Sequence, residues 1–271
     1  MGNLLFDYTQ YCGMYDIQLF SGDCIELMEL FKEDEHHYNY DLILADLPYG
    51  ISGCKWDTPL DLDKMWRLFN AVTKPNANII LFASQPFTSA LVMSNPDKFR
   101  YEIIWEKDKP SNFAFAKNGV MRYHESILVF YDGKPIYNPQ MTIGKPNHSV
   151  GKGVRKKANE SGANTAMVTN KVDGIKHPKS VIKFNREAKP IHPTQKPIEL
   201  LKWLIETYSN KGDKILDCCM GVGSTALAAL ESERGCTGIE LEKEYYDKAV
   251  ERINPLIIEK RDAEYGYAVK T

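Results

Sequence analysis

Asp46-Leu47-Pro48-Tyr49 follows the apolar run LILA at 42–45. The residue before a proline is pushed out of the helical region, so Leu47 is expected to turn its carbonyl outward. A carboxylate beside an outward carbonyl is a pair of hydrogen-bond acceptors suited to an NH2 group, and a tyrosine ring can stack on the plane of a base. Read alone, the tetrapeptide is equally a helix cap with a turn proline.

A second chemical feature lies late in the chain. Met220-Gly221-Val222-Gly223-Ser224-Thr225-Ala226 follows the run KILDCC at 214–219, leads into the small-residue stretch ALAAL, and precedes a run ending at Glu240. Glycines in such a turn let backbone N–H groups approach a ligand at a helix N-terminus, and an acid ending the next strand can accept both hydroxyls of a ribose. The spacing satisfies G-x-G-x-x-A with an acid 19 residues after Gly221, so a nicotinamide dinucleotide fits the turn as well as other adenine nucleotides do.

The elements that must hold these residues are legible from apolar runs. Strands are expected at 16–20, 41–46, 78–83, 101–105, 126–131, 214–219 and 236–241, and helices at 61–73, 84–94, 197–209 and 244–258. In the last helix Tyr246, Ala249, Val250, Ile253 and Ile257 form one core stripe. Short, continuously apolar strands between helices suit an α/β fold with a mostly parallel sheet covered on both faces. After Glu240 only about one helix remains, so the other strands must precede the Gly-rich turn and the fold is circularly permuted. The N-terminal run IQLFSGDCIELM then supplies a strand ending at Gly22-Asp23. In open α/β sheets ligands bind beyond the carboxyl ends of the strands, so Asp23, Asp46, Asp217 and Glu240 are expected to converge on one crevice. Any one of them, taken singly, is a cap or turn residue.

The chain has 271 residues and 43% hydrophobic content, which suits one large domain with an insertion and excludes collagen-like, disordered and miniature disulfide scaffolds. The net charge of -2 argues against a uniformly basic surface, but the average hides a concentration. Residues 134–190 carry 12 Lys and Arg against 3 Asp and Glu, with five Gly, six Asn, five Pro and only Tyr137 and Phe184 as aromatics. Low hydrophobicity with one sign of charge marks a loop-rich insertion that orders on a polyanion, or else a solvated linker. No run approaches the roughly 20 apolar residues of a membrane span, and a cytoplasmic protein is expected. The six cysteines, Cys12, Cys24, Cys54, Cys218, Cys219 and Cys236, show no Cys-x-x-Cys pair, so small buried residues are expected and no metal site.

Taken together, the motifs resemble the beta group of DNA amino-methyltransferases, which use S-adenosylmethionine to methylate an exocyclic amino nitrogen of adenine or cytosine. Asp46-Leu47-Pro48-Tyr49 resembles their Asp-Pro-Pro-Tyr motif; IIWEKDKPSNF (103–113) and RYHESILVFY (122–131) resemble the paired strands after it. HPTQKPIELL from His192 resembles the opening of their cofactor region, and LDCCMGVGSTALAA from Leu216 their Asp-Pro-Phe-x-Gly-x-Gly-Thr turn. Two departures stand out. Leu47 replaces a proline, which changes little if its role is the backbone carbonyl. Cys218 and Cys219 replace Pro-Phe, removing an aromatic that would pack on the cofactor.

The resemblance implies a circularly permuted Rossmann-like methyltransferase fold. It implies a catalytic part at 1–133, a basic target-recognition insertion at 134–190, an S-adenosylmethionine-binding part at 191–258 and a tail at 259–271. Asp46, Leu47, Pro48 and Tyr49 are the implied catalytic residues. The methionine part of the cofactor falls near Thr194, Lys196, Gly221, Gly223 and Ser224, with Asp217, Cys219 and Thr225 in the same turn. Glu240 takes the ribose, and Asp23 and Cys24 take the adenine. Lys196 is expected to face the methionine carboxylate. Double-stranded DNA is the implied substrate, its target base swung into the pocket. Lys152, Arg155, Lys156, Lys157, Lys176, Lys179, Lys183 and Arg186 are candidates for phosphate contacts. His124 reads as a structural histidine first and a base-pocket residue second. Adenine N6 is favoured over cytosine N4, because Asp at the first motif position is more typical of the adenine enzymes. RNA or a protein glutamine presents the same NH2 group; a dehydrogenase and a nucleic-acid-binding protein with a decayed site are the rivals from other classes. A homodimer and a cognate restriction nuclease remain open as partners.

Overall fold

Strands that are apolar on both faces need helices above and below, and the chain supplies them. A computed structural model describes residues 7–11, 16–33, 38–50, 57–144, 174–192 and 194–264. In chain order the elements are β1 (Asp7–Tyr11), β2 (Ile17–Ser21), α1 (Cys24–Phe31), β3 (Tyr40–Asp46), α2 (Leu62–Val72), β4 (Thr73–Ala83), α3 (Phe87–Ser94) and β5 (Phe99–Glu106). After a single 3-10 turn at Phe113–Phe115 come β6 (His124–Phe130), β7 (Thr142–Ile143), β8 (Ile175–Lys176), β9 (Val181–Lys183), α4 (Ile198–Tyr208), β10 (Lys214–Asp217), α5 (Ser224–Glu231), β11 (Gly235–Glu240) and α6 (Lys243–Glu264).

Nine strands form one sheet in the order β1-β2-β11-β10-β3-β4-β6-β5-β9. β2, β11, β10, β3 and β4 are mutually parallel, β1 and β6 run against their neighbours, and β9 pairs parallel with β5. The late strands β10 and β11 therefore sit in the middle, flanked on both sides by strands from the first half of the chain. This is the permuted order that the position of the Gly-rich turn requires.

Alternation along the strands sorts the core into two layers. Leu42 and Leu44 of β3 pack with Ile80, Ile215 and the buried faces of α4, α5 and α6. Ile43 and Ala45 point the other way, into a cluster with Leu81, Ile239, Met65 and Phe69 of α2, and Leu27 and Met28 of α1. At about 1.5–3 kcal/mol for each fully buried aliphatic side chain, this two-sided burial is what fixes the strand register. The α6 stripe behaves as expected, with Tyr246, Ala249 and Ile253 buried and Val250 and Ile257 packed at its margin.

Several boundaries differ from those the sequence predicts, for local reasons. α3 starts at Phe87 because Pro86 stands at its N-cap, and β4 extends back to Thr73 through a bulge opposite Tyr40 and Leu42. The expected strand 214–219 stops at Asp217, leaving Cys218 and Cys219 in the turn. The chain divides into two compact units, one from the N-terminus to 138 plus 180 onward, the other 139–179. Within the basic stretch, Val181–Lys183 is thus an edge strand of the large sheet, with Ile182 buried against Trp105 and its neighbours. The smaller unit contains one short antiparallel pair, Thr142 opposite Lys176 and Ile143 opposite Ile175. Among the described residues no helix is long and apolar enough to cross a membrane.

Candidate active site

The carboxyl ends of β2, β11, β10 and β3 lie on one edge of the sheet, and a cavity of about 870 Å³ opens there. Of the residues singled out from sequence, Asp23, Cys24, Asp46, Leu47, Pro48, Tyr49, Thr194, Lys196, Asp217, Cys219, Gly221, Ser224, Thr225 and Glu240 line it. Gly223 does not. It is the left-handed N-cap of α5 (φ 75°), and a Cβ there would stand 3.0 Å from Ala249 Cβ and from Ile253 Cδ1. Its smallness serves the approach of α6 to the turn. Gly221 (φ 54°) has nothing within 4 Å of where its Cβ would be, so it leaves open space on the cavity wall.

Asp46 ends β3 with both carboxylate oxygens engaged. Oδ1 accepts from the Tyr49 hydroxyl at 2.6 Å, and Oδ2 is bonded by the Lys196 ammonium. Leu47 is 3% exposed and its side chain belongs to the α1–α2–α3 core layer, so its backbone is the part left for other work. Asp57 braces the motif, its Oδ1 accepting from the N–H groups of Tyr49 (2.6 Å) and Gly50 (2.8 Å). One face of the Tyr49 ring stacks on Phe87, with centroids 5.3 Å apart.

Lys196, expected from the sequence to face the methionine carboxylate, lines the cavity and pairs with two of the chain's own carboxylates, Asp46 and, at 3.3 Å, Glu125. Glu125, on β6, is also bonded by Lys107, which follows β5. Two buried lysines and two half-buried carboxylates thus form a charge-balanced chain at the cavity wall. Burial alone would lower the Lys196 pKa, but the charges of Asp46 and Glu125 win and hold it above its ordinary value. For Glu125 burial opposes and the two lysines win, lowering its pKa; for Lys107 burial wins and lowers it despite Glu125. Glu125, Lys107 and Asp57 are not legible in the sequence because nothing in spacing links positions 46, 57, 107, 125 and 196. The available hint is an ionisable residue at each flank of an otherwise apolar strand pair.

The Gly-rich turn is built around two acids. Asp217 is buried, which raises its carboxyl to about 7 against the hydrogen bonds it receives from Thr225 and the Cys219 N–H. Glu240 accepts from the N–H groups of Gly221 and Glu242, both at 2.8 Å; burial still raises its pKa. Arg252 of α6 donates to the Val222 carbonyl and, at 3.3 Å, to the Ser224 hydroxyl, fastening the turn from behind. Asp23 caps α1 through Ile25 N–H (2.8 Å) and Glu26 N–H (3.0 Å) while lining the cavity. Cys24, Cys218 and Cys219 meet at the cavity wall, and hydrogen bonds from the other two thiols lower Cys24 to about 5. Among the described residues no His, Cys, Asp or Glu group is arranged to hold a metal ion. His192 lines the cavity, its Nδ1 3.0 Å from the Thr194 hydroxyl and its ring edge-on to Tyr245.

The basic candidates are dispersed. Lys152, Arg155, Lys156 and Lys157 lie outside the described residues. Lys183 pairs with Glu106 at 3.3 Å, and Arg186 with Asp108, whose Oδ1 also accepts from the Arg186 N–H at 2.9 Å. Such surface pairs are worth little. Lys176 is half-buried and Lys179 exposed, both in the smaller unit. His124 is exposed at the start of β6 and is not on the cavity wall.

Comparison with known proteins gives the same reading from outside. The N6/N4 family model, described as DNA methylase, matches residues 40–251. The type II methyltransferase M1.MboII of Moraxella bovis is 26% identical over 249 residues, covering 84% of this chain and 94% of that protein. M.HpaI of Haemophilus parainfluenzae is 27% identical over 251 residues, 88% and 74% of the two chains. Among solved structures, the M1.HpyAVI–SAM complex superposes with a TM-score of 0.60 at 24% identity, covering 87% of this chain and 99% of that one. The PvuII DNA methyltransferase, described as cytosine-N4-specific, gives 0.57 at 14% identity over 89% and 90%. These two share the fold.

Proposed function

The chain belongs to the N6/N4 DNA methylase family, and from that premise we propose that it transfers a methyl group from S-adenosylmethionine to the exocyclic amino nitrogen of a DNA base, adenine N6 in the first place. The observation that carries this reading is the opening of Asp46 and the Gly-rich turn onto one cavity. The Gly-rich turn's other occupant, a nicotinamide dinucleotide, has no account of the Asp46 motif.

The residues on the wall suit the cofactor. Gly221 offers uncovered backbone, Asp217 and Glu240 offer acceptors, and the volume is of the size that holds a ligand and part of a second one. Asp217, Ser224 and Thr225 would hold the methionine end, Glu240 the ribose, and Asp23 with Cys24 the adenine. When bound, S-adenosylmethionine supplies a methyl group made electrophilic by its sulfonium.

The chain's own part is to prepare the nucleophile. The amino nitrogen of adenine or cytosine is weak because its lone pair is delocalised into the ring. Asp46 and the Leu47 carbonyl accept its two N–H bonds, so the nitrogen becomes pyramidal and developing positive charge is stabilised by a carboxylate. Lys196 and the Tyr49 hydroxyl fix that carboxylate's orientation from its two ends. With Phe87 on one side of the Tyr49 ring, the opposite face is the one left to stack on the extruded base. Orienting two reactants in this way is worth up to about 7–11 kcal/mol in favourable systems.

Adenine is preferred because Asp, not Ser, stands at the first motif position; the same acceptors would also take the N4 amino group of cytosine. Expression in a methylation-free bacterium followed by modification-sensitive sequencing identifies base and site together. In the same assay Asp46→Ala is expected to abolish methylation, while titration of the purified variant finds S-adenosylmethionine affinity within a few-fold of wild type. Near-normal methylation by this variant overturns the assigned role.

A further inference from the structure

The loop joining β5 to β6, residues 107–123, stands at the mouth of the cavity, to which it contributes Ser111, Asn112 and Arg122. It carries apolar side chains held out in water: Phe113 is 77% exposed and Val120 92%, with Met121 and Tyr123 also exposed. Isolated exposed apolar residues are ordinary, but four on one short, cross-braced loop beside the cavity are a patch that calls for a partner.

The bracing is extensive. Asn112 Oδ1 accepts from the Arg122 N–H at 2.5 Å and its Nδ2 donates to the Val120 carbonyl at 3.2 Å. Ser111 N–H donates to the Arg122 carbonyl (3.0 Å), Lys107 N–H to the Tyr123 carbonyl (2.7 Å), and the Arg122 guanidinium to Ser84 Oγ (2.5 Å). The outgoing and returning strands are thus tied together, so Phe113 and Val120 are presented on a preformed bracket. The loop's one acidic residue, Asp108, is paired with Arg186, while Lys109 and Lys117 are exposed and Arg122 half-buried. The surroundings of the apolar tips therefore favour a polyanion.

We propose that this loop is a wedge for duplex DNA. Phe113 and Val120 enter the base stack beside the cavity mouth and hold open the gap that the target base leaves, with Lys109 and Lys117 on the flanking phosphates. Apolar side chains inserted between base steps offset the unstacking cost of a few kcal/mol, and extrusion of a base demands such compensation. The proposal rests on the DNA-methylation reading above, but assigns to residues 107–123 a task distinct from both the cavity and the basic stretch 134–190.

The test uses the full chain and the target sequence read from a methylation-free host that expresses it. Turnover is measured on two duplexes of that sequence, one fully paired and one with the target base opposite an abasic position, which lowers the cost of extrusion. The Phe113→Ala/Val120→Ser variant removes no buried side chain and is expected to keep the wild-type urea midpoint. On the paired duplex its kcat/KM is expected to fall about tenfold or more, and on the abasic duplex to stay within about twofold of wild type. An equal fall on both duplexes overturns the wedge in favour of a simple DNA contact, and no fall on either overturns any role for the loop. A wild-type chain that marks no sequence sinks the methylation reading itself, and the wedge with it.

Discussion

Asp217 shows how one buried carboxylate ties the site to pH. Burial raises its carboxyl from 3.8 to about 7, so the folded protein keeps a proton that the unfolded chain releases above about pH 4. The folded state binds more protons in this window, so stability falls as pH rises from about 4 through 7, and the loss is complete above 7. Asp217→Asn has no such proton to lose. Thermal melts of the ligand-free protein between pH 5 and 8 are expected to fall for wild type and to be flatter for the variant; parallel curves would contradict the raised carboxyl. Glu125 is a different case, since its charge is balanced from both sides. Glu125→Gln takes the carboxylate partner from Lys107 and leaves Lys196 with Asp46 alone, and breaking a buried pair from one side costs about 3–5 kcal/mol. Urea denaturation is expected to show that loss, with much of it recovered in Glu125→Gln/Lys107→Met, where charge balance returns. Neither role is visible in the sequence, where Glu125 reads only as the residue before a buried strand.

Elements set the accuracy with which such residues are held, and the Gly-rich turn is the clearest example. Its two glycines share a motif and a left-handed backbone, yet differ in surroundings. A Cβ at Gly223 meets α6 through Ala249 and Ile253, whereas a Cβ at Gly221 meets nothing within 4 Å. Gly221→Ala is expected to cost only the left-handed strain of about 1–2 kcal/mol, and to weaken S-adenosylmethionine binding by narrowing the wall. Gly223→Ala adds overpacking of about 1–3 kcal/mol to the same strain. Urea midpoints of the two variants check the order, and equal losses would mean that α6 yields. Helix α1 shows the limit of periodicity. Eight residues are too few for a hydrophobic stripe to declare itself, although Asp23 followed by Glu26 three positions later is a capping pattern that marks its start. The longer helices α2, α4 and α6 and the central strands are legible because their apolar faces repeat for several turns or fill both sides of a sheet.

At the scale of the whole molecule, positive charge is gathered in 134–190 while the remainder of the chain carries a net negative charge. The described part of that stretch splits between two units, with β9 stitched to the large sheet. If Lys152, Arg155, Lys156 and Lys157 neutralise phosphates, their joint replacement by alanine flattens the plot of log affinity against log salt by up to about 0.9 for each phosphate set free. Fluorescence titrations of DNA across a salt series measure this, and an unchanged slope would remove these four residues from the interface.

Composition, period and motif order by themselves determined the α/β class, the permuted strand order and the meeting of four strand-end acids at one edge, because strand polarity leaves the carboxyl ends nowhere else to go. Only the tertiary structure decided what each side chain does there. It paired Lys196 with Asp46 and Glu125, set Gly223 against α6, and brought Lys107 to Glu125. Ion pairing and close packing depend on distances between residues far apart in the chain, 150 positions for Lys196 and Asp46, and no local pattern in the chain encodes those distances.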